Sequence, residues 1–348
     1  MPCAPSAAPA ANIGLMRAIR FHAAGGPEVL RLDEVAVPVP AAGEIRVAVA
    51  CAGVNFIDTY LRSGLYDPGE LPAGVGKEGA GTVDAVGEGV DGVAVGARVA
   101  FCDARASYAD FVTLPAARAL AVPAEMGWET AAALPLQGMT ADYLVRSIGR
   151  VAPGDIVLVH AAAGGVGRLA TQLSKRAGAT VFGTCSTSAK AERARAAGCD
   201  HTILYTEVDF ADTLLAATGG RGADLVLDSV GRATFAGSVR ATRVRGTLVC
   251  FGQSSGMVEP FSPRPVLGSR TLVSATLFDY VRQRTELVER WQRVAGLAAA
   301  GELTVAVDSV VPLADAADAH RRLESRASSG KLLLEVAAAT PAQASPIR

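Results

Sequence analysis

Hydrophobic and polar positions alternate in short segments over the first third of the chain, and glycine and proline separate the segments. Strands at this spacing without regular helices between them are typical of a compact β-barrel. The next segment, 128–148, is predicted to be helical, punctuated by Pro135 and Gly138, and to lead into a second domain. The predicted strands of the first part are 17–21, 45–54, 81–86, 98–101 and 108–114.

From residue 151 to about residue 252, short apolar runs alternate with helical stretches rich in alanine, arginine and leucine. This alternation predicts a doubly wound parallel sheet. A sixth apolar run, 271–278, either completes the sheet or forms an edge that pairs with a second subunit. A strong helix is predicted at 284–300, and strands at 305–311 and 332–336 are expected to return to the first domain. The predicted sheet strands are 156–160, 180–184, 202–205, 224–230 and 247–252.

The most informative stretch is GDIVLVHAAAGGVGRLATQLSK, residues 154–175, which predicts a strand, a tight glycine-rich turn and a helix. Such a unit places backbone N–H groups and the positive end of a helix dipole where a pyrophosphate can bind. Gly164, Gly165 and Gly167 keep that approach free of side chains, although Ala162 stands where the dinucleotide fingerprint has its first glycine. An ordinary helix-start loop is the alternative, and the strand–helix units that follow favour a nucleotide site.

The end of the second predicted strand indicates which dinucleotide is bound. NAD-binding units usually carry an acidic residue there, about 20 residues past the glycines, which binds the ribose 2′-hydroxyl. Residues 184–190 contain no carboxylate, and they offer the hydroxyls of Ser186 and Ser188 and the cation of Lys190 to a 2′-phosphate. The sequence therefore predicts NADPH. The segment 186–188 can also cap the next helix, which is compatible with a phosphate site.

Composition sets the broader limits. At 348 residues the chain is too long for one ordinary core, so two domains are expected. A hydrophobic content of 50% with a net charge of −1 is typical of a soluble globular protein and gives no indication of a nucleic-acid or membrane surface. The six cysteines are scattered without a CxxC pair, which favours reduced thiols in a cytoplasmic protein. Residues 1–15 are predicted to be a disordered tail and 337–348 a flexible one.

Six motifs are spread along the chain between residues 16 and 336. They are VNFIDTYLRSGLY at 54–66, GVGKEGAGTV at 74–83, HAAAGGVG at 160–167, DSVG at 228–231, FGQSSG at 251–256 and GKLLLEV at 330–336. Together, and in this order, they resemble the medium-chain dehydrogenase/reductase superfamily, and within it the zeta-crystallin-like NADPH:quinone oxidoreductases. The resemblance implies a GroES-like β-barrel catalytic domain, residues 16–136 and 279–336, and a Rossmann NADPH-binding domain, residues 137–278.

The resemblance also implies that no metal is used. Zinc alcohol dehydrogenases of this superfamily hold a catalytic metal with a Cys-His pair and a His-Glu pair. The matching places here are Asn55-Phe56 and Lys77-Glu78, so the thiolate and both imidazoles are missing, and Glu78 by itself cannot make a three-ligand zinc site. The structural-zinc lobe is absent as well, since residues 101–110 contain only Cys102. Hydride transfer to a quinone needs no Lewis acid, because the cofactor supplies the hydride.

Particular residues receive roles from the same resemblance. Asn55 and Tyr60 are expected near the nicotinamide, and Tyr66 and Gln137 around the substrate cleft. The pyrophosphate is expected on the turn, the 2′-phosphate at Lys190 and the adenine at Tyr205, while the segments 252–254 and 276–278 meet the nicotinamide through backbone groups and Lys331 adds a cation. The expected cofactor-binding residues are Ala163, Gly164, Gly165, Val166, Gly167, Ser186, Lys190, Tyr205, Gly252, Gln253, Ser254, Thr276, Leu277, Phe278 and Lys331.

Two other functions remain open at this point. The same enzyme could reduce the C=C bond of an enone or 2-alkenal, for which a positioned proton donor such as Tyr60 would become essential. Alternatively, the protein could bind NADPH without turnover, as a crystallin-like or RNA-binding protein, although the nearly neutral charge and the lack of a basic-aromatic stripe argue against RNA. The expected partners are a small quinone or conjugated carbonyl and a second copy of the chain, with no nucleic acid and no membrane.

Overall fold

Antiparallel strands form two sheets in the first part of the chain, in a computed structural model that describes residues 14–336. The predicted tail at 337–348 and residues 1–13 of the predicted tail at 1–15 lie outside the described residues, and the first strand begins at Leu15. The elements of this part are β1 Leu15–Phe21, β2 Leu30–Ala36, β3 Glu44–Val54, α1 Phe56–Arg62, β4 Ala73–Gly74, β5 Glu78–Val86, β6 Arg98–Phe101, β7 Phe111–Pro115, β8 Leu120–Ala121, α2 Trp128–Ala133 and α3 Pro135–Asp142.

Strand β3 is the centre of the larger of these sheets. Its side chains alternate between the core and partly exposed positions, with Ile45, Val47 and Val49 fully buried, as expected for a strand with one face on a core. It pairs with β5 and β7 and, through its far end, with the last strand of the described chain. The elements of this returning segment are β15 Val307–Pro312, α11 Ala316–Glu324 and β16 Lys331–Glu335.

The middle of the chain forms a six-stranded parallel sheet. The strand order is β11-β10-β9-β12-β13-β14, which is the doubly wound order with its switch point between β9 and β12. In such sheets ligands bind at the carboxyl ends of the strands next to the switch point. The elements are β9 Ile156–Val159, α4 Gly165–Arg176, β10 Thr180–Cys185, α5 Ser188–Ala196, β11 His201–Leu204, α6 Phe210–Ala217, β12 Ala223–Asp228, α7 Phe235–Ala241, β13 Thr242–Cys250, α8 Pro263–Leu267, β14 Thr271–Ser274, α9 Leu277–Tyr280 and α10 Arg284–Ala299.

The predicted fold class, a barrel-like antiparallel part joined to a doubly wound parallel sheet, is confirmed. Two local predictions differ from the structure. The helix predicted over 128–148 is interrupted, because Pro135 has no backbone N–H and begins a new helix, α3, which ends in a wide turn at Tyr143–Ile148. The run 271–278 is a strand only to Ser274, where it forms the edge of the sheet, and then turns into the short helix α9. Strand β2 and helix α1 were not predicted.

Within residues 14–336, none of the helices has the length and the apolar character needed to cross a bilayer.

Candidate active site

The turn between β9 and α4 has the geometry of an anion site. Gly164 caps α4 in an extended conformation, and the N–H groups of Gly165, Val166 and Gly167 belong to the first helical turn, where no intrahelical acceptor exists. A Cβ on Gly167 would lie 2.3 Å from the Ala161 carbonyl oxygen, so only glycine lets the helix approach the turn this closely. Ala161 itself has a φ of 49°, a left-handed conformation that is costly for alanine and that the sequence did not predict.

Gln137 connects this turn to the neighbouring polar cluster. A Cβ on Gly165 would lie 1.9 Å from the Gln137 side-chain oxygen, so that oxygen contacts the glycine directly. The Gln137 amide nitrogen faces the Asn55 Oδ1 atom at 3.5 Å. The first turn of α4, Gln137 on α3 and Asn55 at the start of α1 are therefore immediate neighbours.

The polar cluster, which we call the floor of the cleft, consists of Asn55, Glu78 and Lys331. Lys331 Nζ donates to Asn55 Oδ1 over 2.7 Å and also to Glu78 Oε2, while Asn55 Nδ2 donates to Glu78 Oε2 over 2.9 Å. The side chains of Lys331 and Glu78 are fully buried, and the second carboxylate oxygen of Glu78 accepts from the Leu136 N–H at 2.6 Å. Every partner of this carboxylate is a hydrogen-bond donor, so its charge is compensated.

These residues do not fit a zinc ion. A protein zinc site needs three or four thiolate, imidazole or carboxylate ligands, whereas the floor offers one carboxylate, and that carboxylate is bound by the Lys331 ammonium group. Within the described part of the chain, no three histidine, cysteine, aspartate or glutamate side chains cluster in a way that could hold a metal. The metal-free mechanism stays a prediction.

Two tyrosines of the first part of the chain, Tyr60 and Tyr66, form hydrogen bonds to Gln253 at the edge of the parallel sheet. Tyr60 oxygen accepts a hydrogen bond from the Gln253 N–H at 3.2 Å, and Tyr66 oxygen accepts from the Gln253 side-chain amide at 2.9 Å. Their rings lie edge to face with centroids 5.3 Å apart. Burial raises the pKa of Tyr60 to about 12, so its phenol stays protonated at neutral pH. Because both oxygens already act as acceptors, both O–H groups are free to donate to a ligand in the cleft.

Gln253 follows β13 at the carboxyl edge of the sheet, together with Gly252 and Ser254. A Cβ on Gly252 would lie 2.7 Å from the Ser229 carbonyl oxygen, so this glycine is required for the close approach of two strand ends. After β14, Thr276 caps α9 and Leu277 is buried. Phe278 lines a cavity of about 1240 Å³ together with Lys77, Asp103 and Arg282, which is not the cleft formed by Asn55, Tyr60 and Gln137.

The segment predicted to hold a 2′-phosphate lies at the ends of β10 and β11. Thr187, within the segment 186–188 that was expected to cap the next helix, caps α5 and accepts from the Lys190 N–H at 3.3 Å. The Ser186 carbonyl accepts from Thr206 Oγ1, which follows the exposed Tyr205. Lys190 Nζ donates to the carbonyl of Arg326, which has a left-handed φ of 58°. Partial burial lowers the pKa of Lys190. The sequence did not indicate that Arg326 would lie beside it.

His160, at the end of β9, has a structural role. Its ring nitrogens face Thr184 Oγ1 and Ser238 Oγ, both at 3.0 Å, and Ser238 donates in turn to Asp228 at 2.7 Å. Burial lowers the pKa of the imidazole, which is therefore neutral. These bonds fasten β9, β10, β12 and α7 together beneath the turn.

The fold and this site define a medium-chain dehydrogenase/reductase. Residues 41–147 match the alcohol dehydrogenase GroES-like domain, and residues 197–334 match the zinc-binding dehydrogenase family. Quinone oxidoreductase 1 of Escherichia coli is 42% identical over 321 residues, 91% of this chain and 98% of that protein. A 2-haloacrylate reductase of Burkholderia is 38% identical, covering 92% of this chain and 99% of that protein.

Solved structures agree with these relatives. The Escherichia coli quinone oxidoreductase in complex with NADPH has a TM-score of 0.90 and 41% identity, with 92% of this chain and 99% of that chain covered. A mycobacterial protein solved as a complex with NADPH has a TM-score of 0.89 and 42% identity, with 92% and 100% covered. The chain belongs to the quinone oxidoreductase family of the medium-chain dehydrogenases/reductases, which confirms the resemblance inferred from its motifs.

Proposed function

We propose that this protein transfers a hydride from NADPH to a quinone. The observation that carries the proposal is the position of Gln137, which touches the anion-binding turn at Gly165 and also faces Asn55. A dinucleotide whose pyrophosphate lies on that turn would extend its nicotinamide toward Asn55 and the two tyrosines. Related quinone oxidoreductases that were solved with NADPH, such as the Escherichia coli enzyme, support the choice of cofactor.

The residues of this chain would bind and orient the reactants. The N–H groups of Gly165, Val166 and Gly167 would hold the pyrophosphate, and Ser186 and Lys190 the 2′-phosphate. The bound NADPH would supply the hydride. A quinone that accepts one hydride also needs one proton to become a hydroquinone, and that proton can come from solvent. Tyr60 and Tyr66, whose O–H groups are free to donate, would stabilise the oxygen on which negative charge develops.

Steady-state assays with NADPH and NADH against a small benzoquinone test this function. We expect turnover with NADPH to be strongly preferred, and turnover to survive prior treatment with a chelator. A preference for NADH, or an absolute requirement for an added metal ion, would contradict the proposal.

Replacing Lys190 by alanine is expected to raise the KM for NADPH about tenfold, because a charge-assisted hydrogen bond contributes roughly 1.5 kcal/mol or more. The KM for NADH, which has no 2′-phosphate, should stay unchanged. Lys175→Ala is the matched control, since Lys175 pairs with Asp200 on the surface and lies outside the proposed site. An equal change with both cofactors would mean that Lys190 acts only through its bond to Arg326.

A second acceptor class is favoured by one relative. The 2-haloacrylate reductase similar to this chain is named for an activated C=C bond. Reduction of such a bond adds the hydride to one carbon and a proton to the other, so a donor within the cleft becomes essential. Tyr60 is suited to that role, because its oxygen accepts from Gln253 and its O–H group is free.

Tyr60→Phe is expected to lower kcat with a 2-alkenal about 10- to 100-fold, the loss of one hydrogen bond to a group that acquires charge. With benzoquinone the effect should be smaller, since Tyr66 still donates to the oxygen that acquires charge and solvent can protonate the product. Comparison of kcat for both acceptors in the same preparation measures the difference. If both rates fall together, Tyr60 orients the cofactor and is not a proton donor specific to alkenes.

We also infer that the chain forms homodimers through β14. This strand is the last of the parallel sheet, and within residues 14–336 its outer edge has no neighbouring strand. An edge strand offers unpaired N–H and C=O groups to a second copy. The expected cytoplasmic location and the absence of nucleic-acid binding stay predictions.

A further inference from the structure

A buried aspartate supports the floor of the cleft from behind. Asp58 Oδ2 accepts from the Asn55 N–H at 2.9 Å and from the Tyr108 hydroxyl at 3.1 Å. The Asp58 side chain is fully buried, and its other oxygen, Oδ1, is enclosed without a hydrogen-bond partner among the described residues. Since the side chain of Asn55 holds Glu78 and Lys331, Asp58 fixes the backbone of the residue that joins the floor together.

One chain of hydrogen bonds, from Arg62 through His320 to Tyr108, points toward Asp58. Arg62 Nη1 lies 3.1 Å from His320 Nδ1, and because a guanidinium can only donate, Nδ1 must be the acceptor. The proton of His320 is therefore on Nε2, which faces the Tyr108 oxygen at 3.3 Å and donates to it. Burial, with Arg62 nearby, lowers the pKa of His320 to about 3, so the ring stays neutral. Tyr108 must then donate to Asp58, and Glu324 pairs with Arg62 near the surface at 2.6 Å.

We propose that Asp58 is a positioning residue for the reaction: its ionised carboxylate, held by the chain of donors from Arg62 through His320 and Tyr108, keeps Asn55 in the arrangement needed for turnover. The proposal rests on the proposed function for its kinetic readout. Asp58 lies in the first turn of α1, behind the floor, and makes no contact with the cleft. Its effect passes through the Asn55 N–H and the Asn55 side chain.

Burial makes Asp58 harder to ionise, so that its titration falls near neutral pH. Desolvation raises the pKa of Asp58 to about 7, and Glu78 on β5 adds to the rise. The Asn55 N–H at the start of α1, Lys331 on β16 and the Tyr108 hydroxyl before β7 lower it. His320 on α11 and Arg62 at the end of α1 face Asp58 through Tyr108. These opposing effects leave the carboxylate charged above neutrality and protonated below it.

Protonation would weaken the support of Asn55. A proton on Oδ1 would be a buried donor without an acceptor, and a proton on Oδ2 would meet the hydrogens of Tyr108 and Asn55. In both cases the carboxyl group is a poorer acceptor for the Asn55 N–H. Activity should therefore be full above about pH 7 and should fall as the pH decreases below it.

The test is the pH profile of kcat/KM for NADPH between pH 5.5 and 9. It is recorded with wild type, Asp58→Asn, Tyr108→Phe and Tyr143→Phe. The expected midpoint for wild type is about pH 7, the pKa of Asp58. Wild type should lose up to tenfold per pH unit below the midpoint, as for one ionisation, and level off near the activity of Asp58→Asn. Asp58→Asn should show a lower plateau without that acidic limb. Tyr108→Phe removes a bond that lowers the Asp58 pKa, so its midpoint should move upward. Tyr143→Phe alters a buried tyrosine outside the chain of donors and should leave the midpoint unchanged.

The proposal is overturned if Asp58→Asn keeps the acidic limb. It is also overturned if Tyr108→Phe lowers kcat/KM without moving the midpoint. A merely structural role changes the plateau and leaves the midpoint in place. Fluorescence titration of NADPH at the same pH values gives a second readout. If no quinone is reduced at any pH, the proposed function fails, and the pH dependence of the NADPH dissociation constant still decides the role of Asp58.

Discussion

Lys331→Met is expected to lower the free energy of unfolding by about 3–5 kcal/mol, the usual cost of removing one partner of a buried ion pair. Lys331 and Glu78 are fully buried and bonded to each other, so the substitution leaves a carboxylate enclosed without its cation. Folded domains are stable by only ~5–15 kcal/mol, so a large share of the total would be lost. Urea unfolding followed by tryptophan fluorescence measures the difference.

A double variant and a surface control separate the causes of that loss. Lys331→Met combined with Glu78→Gln removes both charges and should recover more than half of the lost stability. Lys175→Met breaks a comparable pair with Asp200, but both side chains are about one-third exposed, and the expected cost is about 0–1 kcal/mol. If Lys331→Met and Lys175→Met cost the same, the Glu78 site is hydrated in solution and the buried pair described above is wrong.

Gly167→Ala is expected to weaken NADPH binding at least about 100-fold, because a displacement near 1 Å in a binding site has effects of this size. The new Cβ would lie 2.3 Å from the Ala161 carbonyl oxygen and 2.9 Å from Ala162 Cα. Both are backbone atoms that cannot rotate away, so the turn and the first N–H groups of α4 must move apart. Fluorescence titration with NADPH measures the dissociation constant.

Two other glycines provide graded controls for this substitution. Gly164→Ala places its Cβ 3.1 Å from the same carbonyl oxygen, a mild contact, and should weaken binding less than Gly167→Ala does. Gly296→Ala lies on an exposed position of α10 with open space around it, and should leave binding unchanged while slightly raising stability. Equal affinities for wild type and Gly167→Ala would show that the pyrophosphate does not bind on this turn.

The phosphate turn and the parallel sheet could be predicted because their signals are local. Apolar runs, glycines and helical spacing all fall within about 20 residues of one another, which is the range over which periodicity carries information. The elements that were missed also lie within short stretches, but their sequence signals are weak. Strand β2 has mostly exposed or half-buried side chains, so its hydrophobic pattern is poor, and the break at Pro135 was noticed without being placed as a helix start.

The floor of the cleft was harder to predict. The sequence indicated Asn55 and Lys331 through a family resemblance and treated Glu78 only as a residue left over from a missing zinc site. Their mutual contact joins positions 253 residues apart, and no local pattern encodes it. Asp58 could have been found, because Asn55 and Asp58 have the spacing of a capping box. Tyr108 and His320 meet it only through the tertiary fold, and nothing in the sequence around either residue indicates it.

The pairing of β16 with β3 determines when the barrel can be completed on the ribosome. Leu332 pairs with Val54, so β3 leaves the exit tunnel long before its partner strand has been synthesised. Until then the end of β3 that pairs with β16, residues 51–54, has one open edge, and the Glu78 carboxylate lacks its lysine. The nascent barrel must therefore wait for the parallel sheet to be translated, and β16 both closes it and delivers the charge that neutralises its interior.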